Sequence, residues 1–167
     1  MASHRAIVKA SAAVPGIYQF IFMTLEPIFA MLGAVMVLHT PHQYLAGTTR
    51  NAVPYAPDTQ FLYTQLGGGW LYFAFIEGVV LRLFDDLRLW RVVCAGMLLS
   101  DAAFLRSTAQ AVGGWDVWLD RSTWTVEDYT IFLTTAPMLI VRCLIVLGIG
   151  VRVPKEADAK QGEKQAE

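Results

Sequence analysis

The chain has 167 residues, 55% of them hydrophobic and only 16% charged, with a formal net charge of −1. Soluble domains carry about 25% charged residues, so this composition, with a mean hydropathy of +0.44, excludes an ordinary soluble domain. The near-neutral charge excludes the basic footprint of a nucleic-acid binder.

Spanning a hydrocarbon core takes about 20 largely apolar residues, and four segments qualify. The first runs from Ile17 to His39, the second from Leu66 to Phe84, the third from Trp90 to Val112 and the fourth from Tyr129 to Val151. The expected fold is an all-α, integral membrane four-helix bundle. Arg5 and Lys9 precede the first segment as they would precede a signal peptide. Its length and the Glu26-Pro27 pair at its centre argue against a cleaved signal, whose apolar stretch is only about 7–15 residues. A polar, Pro-containing loop follows (Thr40 to Gln65), in which Asn51-Ala-Val is no glycosylation acceptor. Gly67-Gly68-Gly69 near the start of the second span permits a tight turn or a close helix approach. A charged turn (Asp85 to Leu89) leads to the third span, and a Trp-rich loop (Gly113 to Asp128) leads to the fourth. Gly148-x-Gly150 permits close helix contact and hence a homodimer. Residues 1–153 form one membrane domain, and residues 154–167 form a solvated, disordered tail. Cys94 and Cys143 lie in apolar runs without metal-ligand spacing and read as free thiols.

Nine Lys and Arg flank one side of these spans: Arg5, Lys9, Arg82, Arg88, Arg91, Arg152, Lys155, Lys160 and Lys164. Only Arg50 and Arg121 lie on the other. The positive-inside rule therefore places both termini in the cytosol. Trp70, Trp90, Trp115, Trp118, Trp124, Tyr63 and Tyr129 fall near span ends or in the third loop, as interfacial anchors do.

Ionisable groups inside the spans carry the functional signal. Counted from the span midpoints at 1.5 Å per residue, Glu26, Glu77, Asp101 and Arg142 share one depth to within roughly 3 Å. Each comes from a different span. Left facing lipid, four charges would cost on the order of 10 kcal/mol, so the bundle must turn them inward. Three carboxylates against one guanidinium cannot all ionise cheaply. The expectation is one carboxylate paired with Arg142 and at least one held neutral at pH 7, a proton donor suited to general acid catalysis. Pro27 and Pro137 each remove a helical donor and free a carbonyl for a cavity or a neighbouring helix. Glu77-Gly78 leaves space beside the second carboxylate. His39 and His42 bracket Pro41 and read either as a proton relay or as interfacial anchors. Arg106, five residues after Asp101 and roughly 140° around the helix, is left to pair with another carboxylate or to snorkel outward.

The run Leu25-Glu26-Pro27, Gly33-Ala34 and His39-Thr40-Pro41-His42 resembles the first span of an uncharacterised fungal family of small four-span membrane proteins, a domain of unknown function. The resemblance continues through Glu77-Gly78-Val79-Val80-Leu81-Arg82, Asp86-Leu87-Arg88-Leu89-Trp90-Arg91 and Ser100-Asp101. It covers residues 12 to 152. Phe104 stands where that family often has a histidine three residues after the aspartate. A looser likeness connects the chain to emopamil-binding-type sterol isomerases and to membrane-bound terpene cyclases. It implies acid chemistry on a lipophilic substrate, by analogy alone.

GxSxG, P-loop, GxGxxG and HExxH motifs are all missing from the sequence, which argues against serine hydrolases, NTPases, dinucleotide enzymes and zincins. The leading expectation is an endomembrane enzyme, placed in the endoplasmic reticulum or a related membrane. It would start cyclisation, isomerisation or epoxide opening of a terpenoid or polyketide metabolite, with Glu26, Glu77 and Asp101 as acid/base groups. Arg142 would support them, and neither metal nor organic cofactor is required. Fungal specialised metabolism is the expected setting, with membrane lipids and pathway enzymes as further partners. The alternative is a non-catalytic lipid-binding or scaffold protein whose charges lock the helices together. A proton-coupled transporter is disfavoured by the absence of an inverted repeat.

Overall fold

A computed structural model describes residues 7–152, and among these every regular element is a helix. Four helices are long and apolar enough to cross a membrane: Gly16–His39, Pro57–Leu83, Leu87–Ala111 and Val126–Leu147. The expected all-α membrane bundle is therefore the fold. Both the polar tail 154–167 and Arg5 lie outside the described residues.

The connections differ from the sequence reading. The segment read as the loop Thr40 to Gln65 holds a short helix, Pro41–Thr48, and the second span begins at Pro57 rather than Leu66. In both, proline opens the helix, where its preset φ is favourable and its missing N–H leaves no bond unmade. Asp58 in the first turn of the second span complements the helix dipole. The fourth span begins at Val126, three residues before Tyr129, because Thr125 and Asp128 cap it reciprocally. Thr125 Oγ1 accepts from the Asp128 N–H (3.3 Å), and the Asp128 carboxylate accepts from the Thr125 N–H (2.8 Å). It ends at Leu147, where Gly148 takes a left-handed conformation, φ +74°. Gly150 adopts the same φ. The pair read as a helix-contact motif thus makes a turn instead.

Two π-helical segments interrupt the spans. Ile21–Leu25 precedes Glu26-Pro27, and Ile76–Val80 contains Glu77. Each puts one wide turn next to an intramembrane acid, a placement common where helices carry function.

The first span lies along the second and the third along the fourth. Close approach in the first pair depends on glycine. A Cβ on Gly33 would stand 2.8 Å from the Trp70 ring, and one on Gly67 would stand 2.9 Å from Leu38. The two pairs meet where Ile21–Leu25 and Pro41–Thr48 pack on the fourth span. The second and third spans make few contacts with each other, so that side of the bundle is splayed.

One end of the bundle is solid. The helix Ala10–Ala13 folds beneath the spans, with the Ser11 N–H and hydroxyl donating to Asp85 at 2.7 and 2.6 Å. The Leu87 N–H donates to the Val8 carbonyl and the Arg152 N–H to that of Ala13. Both described ends of the chain therefore share one face with the turn between the second and third spans. Above them Phe22, Leu81, Trp90, Cys94, Val141 and Ile145 form the apolar core. The sequence suggests an interfacial anchor at Trp90, but the residue is fully buried. Its indole N–H donates to the carbonyls of Leu81 and Phe84 (3.2 and 3.1 Å), which the end of the second span leaves without helical donors.

Candidate functional site

Arg142, buried in the fourth span, reaches the centre of the bundle and gathers one carboxylate from each of the other three spans. Its Nη1 donates to Asp101, and its Nη2 donates to Glu26 and, at 2.9 Å, to Glu77. The four residues read as sharing one depth do meet. Glu77 is wholly buried, and Glu26 and Arg142 nearly so. From the core side the Phe22 ring lies 5.9 Å from the guanidinium carbon, a cation–π distance. Like Glu26 Oε2 and Arg142 Nε, Glu77 Oε2 is buried without a hydrogen-bond partner. Three carboxylates against one guanidinium leave a formal surplus of two negative charges if all are ionised.

Pro27 explains part of this placement. Without an N–H it cannot donate to the carbonyl of Met23, four residues earlier. Arg82, from the second span, supplies the missing donor at 2.7 Å and also reaches the Thr24 hydroxyl. Gly78, next to Glu77, lets Pro27 pack at van der Waals distance. The two acid-bearing turns are thereby held against each other.

The cluster forms the floor of a cavity of about 670 Å³. Its walls carry aromatic rings (Phe29, Trp70, Phe73, Phe104) and hydroxyls, and its far end is bounded by Tyr44 and Glu127. Arg142 and Glu127 are fifteen residues apart on one helix, so the cavity extends roughly 22 Å along the fourth span. Burial pushes the Tyr44 hydroxyl above its ordinary pKa, which keeps it a neutral donor. Among the described residues no three His, Cys, Asp or Glu side chains are grouped to hold a metal ion.

The remaining residues singled out from the sequence stand apart. Arg106 is exposed and has no ion pair among the described residues. The rotation that separates it from Asp101 turns it off the bundle interior. His39 and His42 are both exposed, and thirteen residues put His39 roughly 20 Å from Glu26 along the helix. His42 lies edge-on to Tyr55, ring centroids 6.4 Å apart. Neither histidine reaches the cluster. Sequence reasoning missed the cavity walls, although Thr130 and Thr134 at i, i+4 and Ser100 and Ser107 at i, i+7 each mark one helix face. It also missed a second ion pair at the capped end of the fourth span, where Arg50 Nε donates to the fully buried Asp128 at 2.9 Å.

Fold and site together define a four-span membrane protein with an arginine-centred acid cluster at the base of an open cavity between the spans. The chain belongs to the family described as a domain of unknown function, DUF7704, which it matches over residues 11–152. Comparison with curated proteins and with solved structures found no match in either.

Proposed function

We propose that this protein is a membrane-embedded acid catalyst for a lipophilic metabolite, and that a carboxyl of the Arg142 cluster is its proton donor. The observation that carries this reading is the convergence of Glu26, Glu77 and Asp101 on a single guanidinium at the base of a cavity. In a low-dielectric interior, three adjacent carboxylates and one cation are best balanced with protons retained on the cluster. Glu77, the most buried of the three acids, is the first choice of donor, with Asp101 the second and Glu26 as the acid/base partner.

In the reaction, the carboxyl proton passes to an alkene carbon or an epoxide oxygen. The alkene π pair, or a lone pair of the epoxide oxygen whose C–O bond then breaks with its electrons going to oxygen, forms the new bond to hydrogen, and a carbocation forms in the substrate. Ring closure or a shift of the double bond follows. Loss of a proton from the product cation to the carboxylate then restores the acid, so no outside oxidant or reductant is needed. Aromatic walls line the cavity, and the surrounding lipid limits the water that could capture the cation. The setting that fits is an endomembrane of fungal specialised metabolism, with both termini cytosolic as the distribution of Lys and Arg favours.

The test is amide replacement, with Glu26→Gln, Glu77→Gln and Asp101→Asn each assayed for product formation in intact membranes. Loss of turnover by about 100-fold or more in at least one folded variant is expected. Unchanged turnover in all three removes the proposal. One observation favours a second reading, a lipid-binding or scaffold protein: Arg142 ties all four spans together, as a purely structural lock would. On that reading the amide variants lose thermal stability, while a deletion strain accumulates no defined intermediate.

A further inference from the structure

Charge around the cavity is one-sided. Among the described residues, Arg142 is the only cation on its lining, against Glu26, Glu77, Asp101 and, at the exposed rim, Glu127. Both amino groups of the guanidinium are already engaged by the three acids. Glu77, fully buried, keeps one oxygen that no donor reaches while the acids are ionised, and so does Glu26.

The wall hydroxyls lean the same way. Thr130 donates to the carbonyl of Val126, Thr134 to that of Thr130, and Ser107 to that of Phe104, at 2.8–2.9 Å. A hydroxyl whose hydrogen is engaged in its own helix offers only lone pairs to a guest. Neutral donors remain at Ser100, Thr135 and the Trp70 indole, and at the mouth at Gln43 and Tyr44, but acceptors and negative charge outnumber them. The aromatic rings of Phe29, Trp70 and Phe73 add π faces, which attract cations.

From this we infer that the cavity binds an elongated lipophilic cation, a protonated amine or a guest that develops positive charge, with its charged end against Glu77 and Glu26 and its chain along the fourth span; in that complex Glu77 is a carboxylate, its proton having passed to the guest or to water. The inference deepens the catalytic reading and rests on it for its chemical purpose, since a carbocation is such a guest. The binding itself can be measured without turnover.

Three probes of one chain length separate the possibilities: N,N-dimethyldodecylamine (protonated at pH 7.5), 1-dodecanol and dodecanoate. Binding to the full chain in lipid nanodiscs is measured at matched probe-to-lipid ratios, for the wild type and for the Glu77→Gln and Asp101→Asn variants. The amine should bind about tenfold or more tightly than the alcohol, the scale of one charge-assisted hydrogen bond, and dodecanoate should bind least. Glu77→Gln should remove that preference and leave the alcohol unchanged. If that variant does not fold, the ranking of the three probes on the wild type decides alone. Equal binding of amine and alcohol, or preference for dodecanoate, overturns the inference. Amide variants that lose turnover while amine and alcohol bind alike would keep acid catalysis and discard the cationic guest. Selective amine binding with turnover intact in all three amide variants would do the reverse.

Discussion

Arg82 donates a 2.7 Å hydrogen bond to the carbonyl oxygen of Met23, the acceptor that Pro27 leaves without its helical donor. A proline in the first span is thus answered by an arginine in the second, next to the turn that carries Glu26. The pair should be energetically coupled. Arg82→Ala is expected to cost about 1 kcal/mol in a detergent unfolding assay, the lower end for a partly exposed charged hydrogen bond. Restoring the backbone donor with Pro27→Ala should recover part of that loss. A double-mutant cycle with no interaction energy would show that the contact does not link the two spans.

The acid surplus predicts an asymmetry in the cluster. Removing the cluster's cation leaves two buried carboxylates and the half-buried Asp101 facing one another, so Arg142→Met should lower stability by about 3–5 kcal/mol and sharply reduce the folded yield. Removing one acid relieves repulsion, so each single amide variant should remain folded, with a melting temperature close to that of the wild type. Fluorescence-detected gel filtration after heating would compare the four. Equal losses in all of them would mean that the acids and the arginine form a matched network with no surplus.

Glycine is required at Gly33 but not at Gly68. Gly33→Ala would drive a methyl group into the Trp70 ring, a rigid neighbour at 2.8 Å, and should destabilise by about 1–3 kcal/mol while moving the indole within the cavity. Nothing lies within 4 Å of a Cβ on Gly68. There alanine should be neutral or raise stability by up to about 1 kcal/mol through its helix propensity. Trp70 fluorescence should shift in the first variant and not in the second, and the reverse pattern would refute the packing assignment.

Asp85 makes the closed end of the bundle sensitive to acid. Ser11's hydroxyl and backbone N–H hold its carboxyl below the usual carboxylate range. A group depressed on folding contributes stability above its unfolded value, about 3.9, and loses it as pH falls through the lower folded value. Hydrogen exchange in Ala10–Ala13 should therefore stay slow from neutral pH down to about 4 and rise only below it. Asp85→Asn should show the fast exchange at neutral pH. Exchange that does not depend on Asp85 would place the anchoring of this helix elsewhere.

Much of the architecture needed no coordinates. Four apolar stretches, each near the length of a bilayer crossing, determined a four-span helical membrane protein, because lipid leaves backbone polar groups no partners outside a helix. The depth of Glu26, Glu77, Asp101 and Arg142 was legible as well, since helical rise converts residue count into height. Rotation about each span was not legible in the same way. Arg106 counted as an intramembrane charge yet faces outward, and Trp90 counted as an anchor yet is buried, because which side of a helix meets its neighbours depends on packing between spans. The helix Pro41–Thr48 was hidden among polar residues, and the Gly148 and Gly150 turn in a motif that equally suits a contact. Only the tertiary structure decided that one guanidinium serves three acids, that the second and third spans stand apart, and that the space so left is a cavity. Those facts depend on distances between residues as far apart as 26 and 142, and local sequence pattern carries no information on that scale.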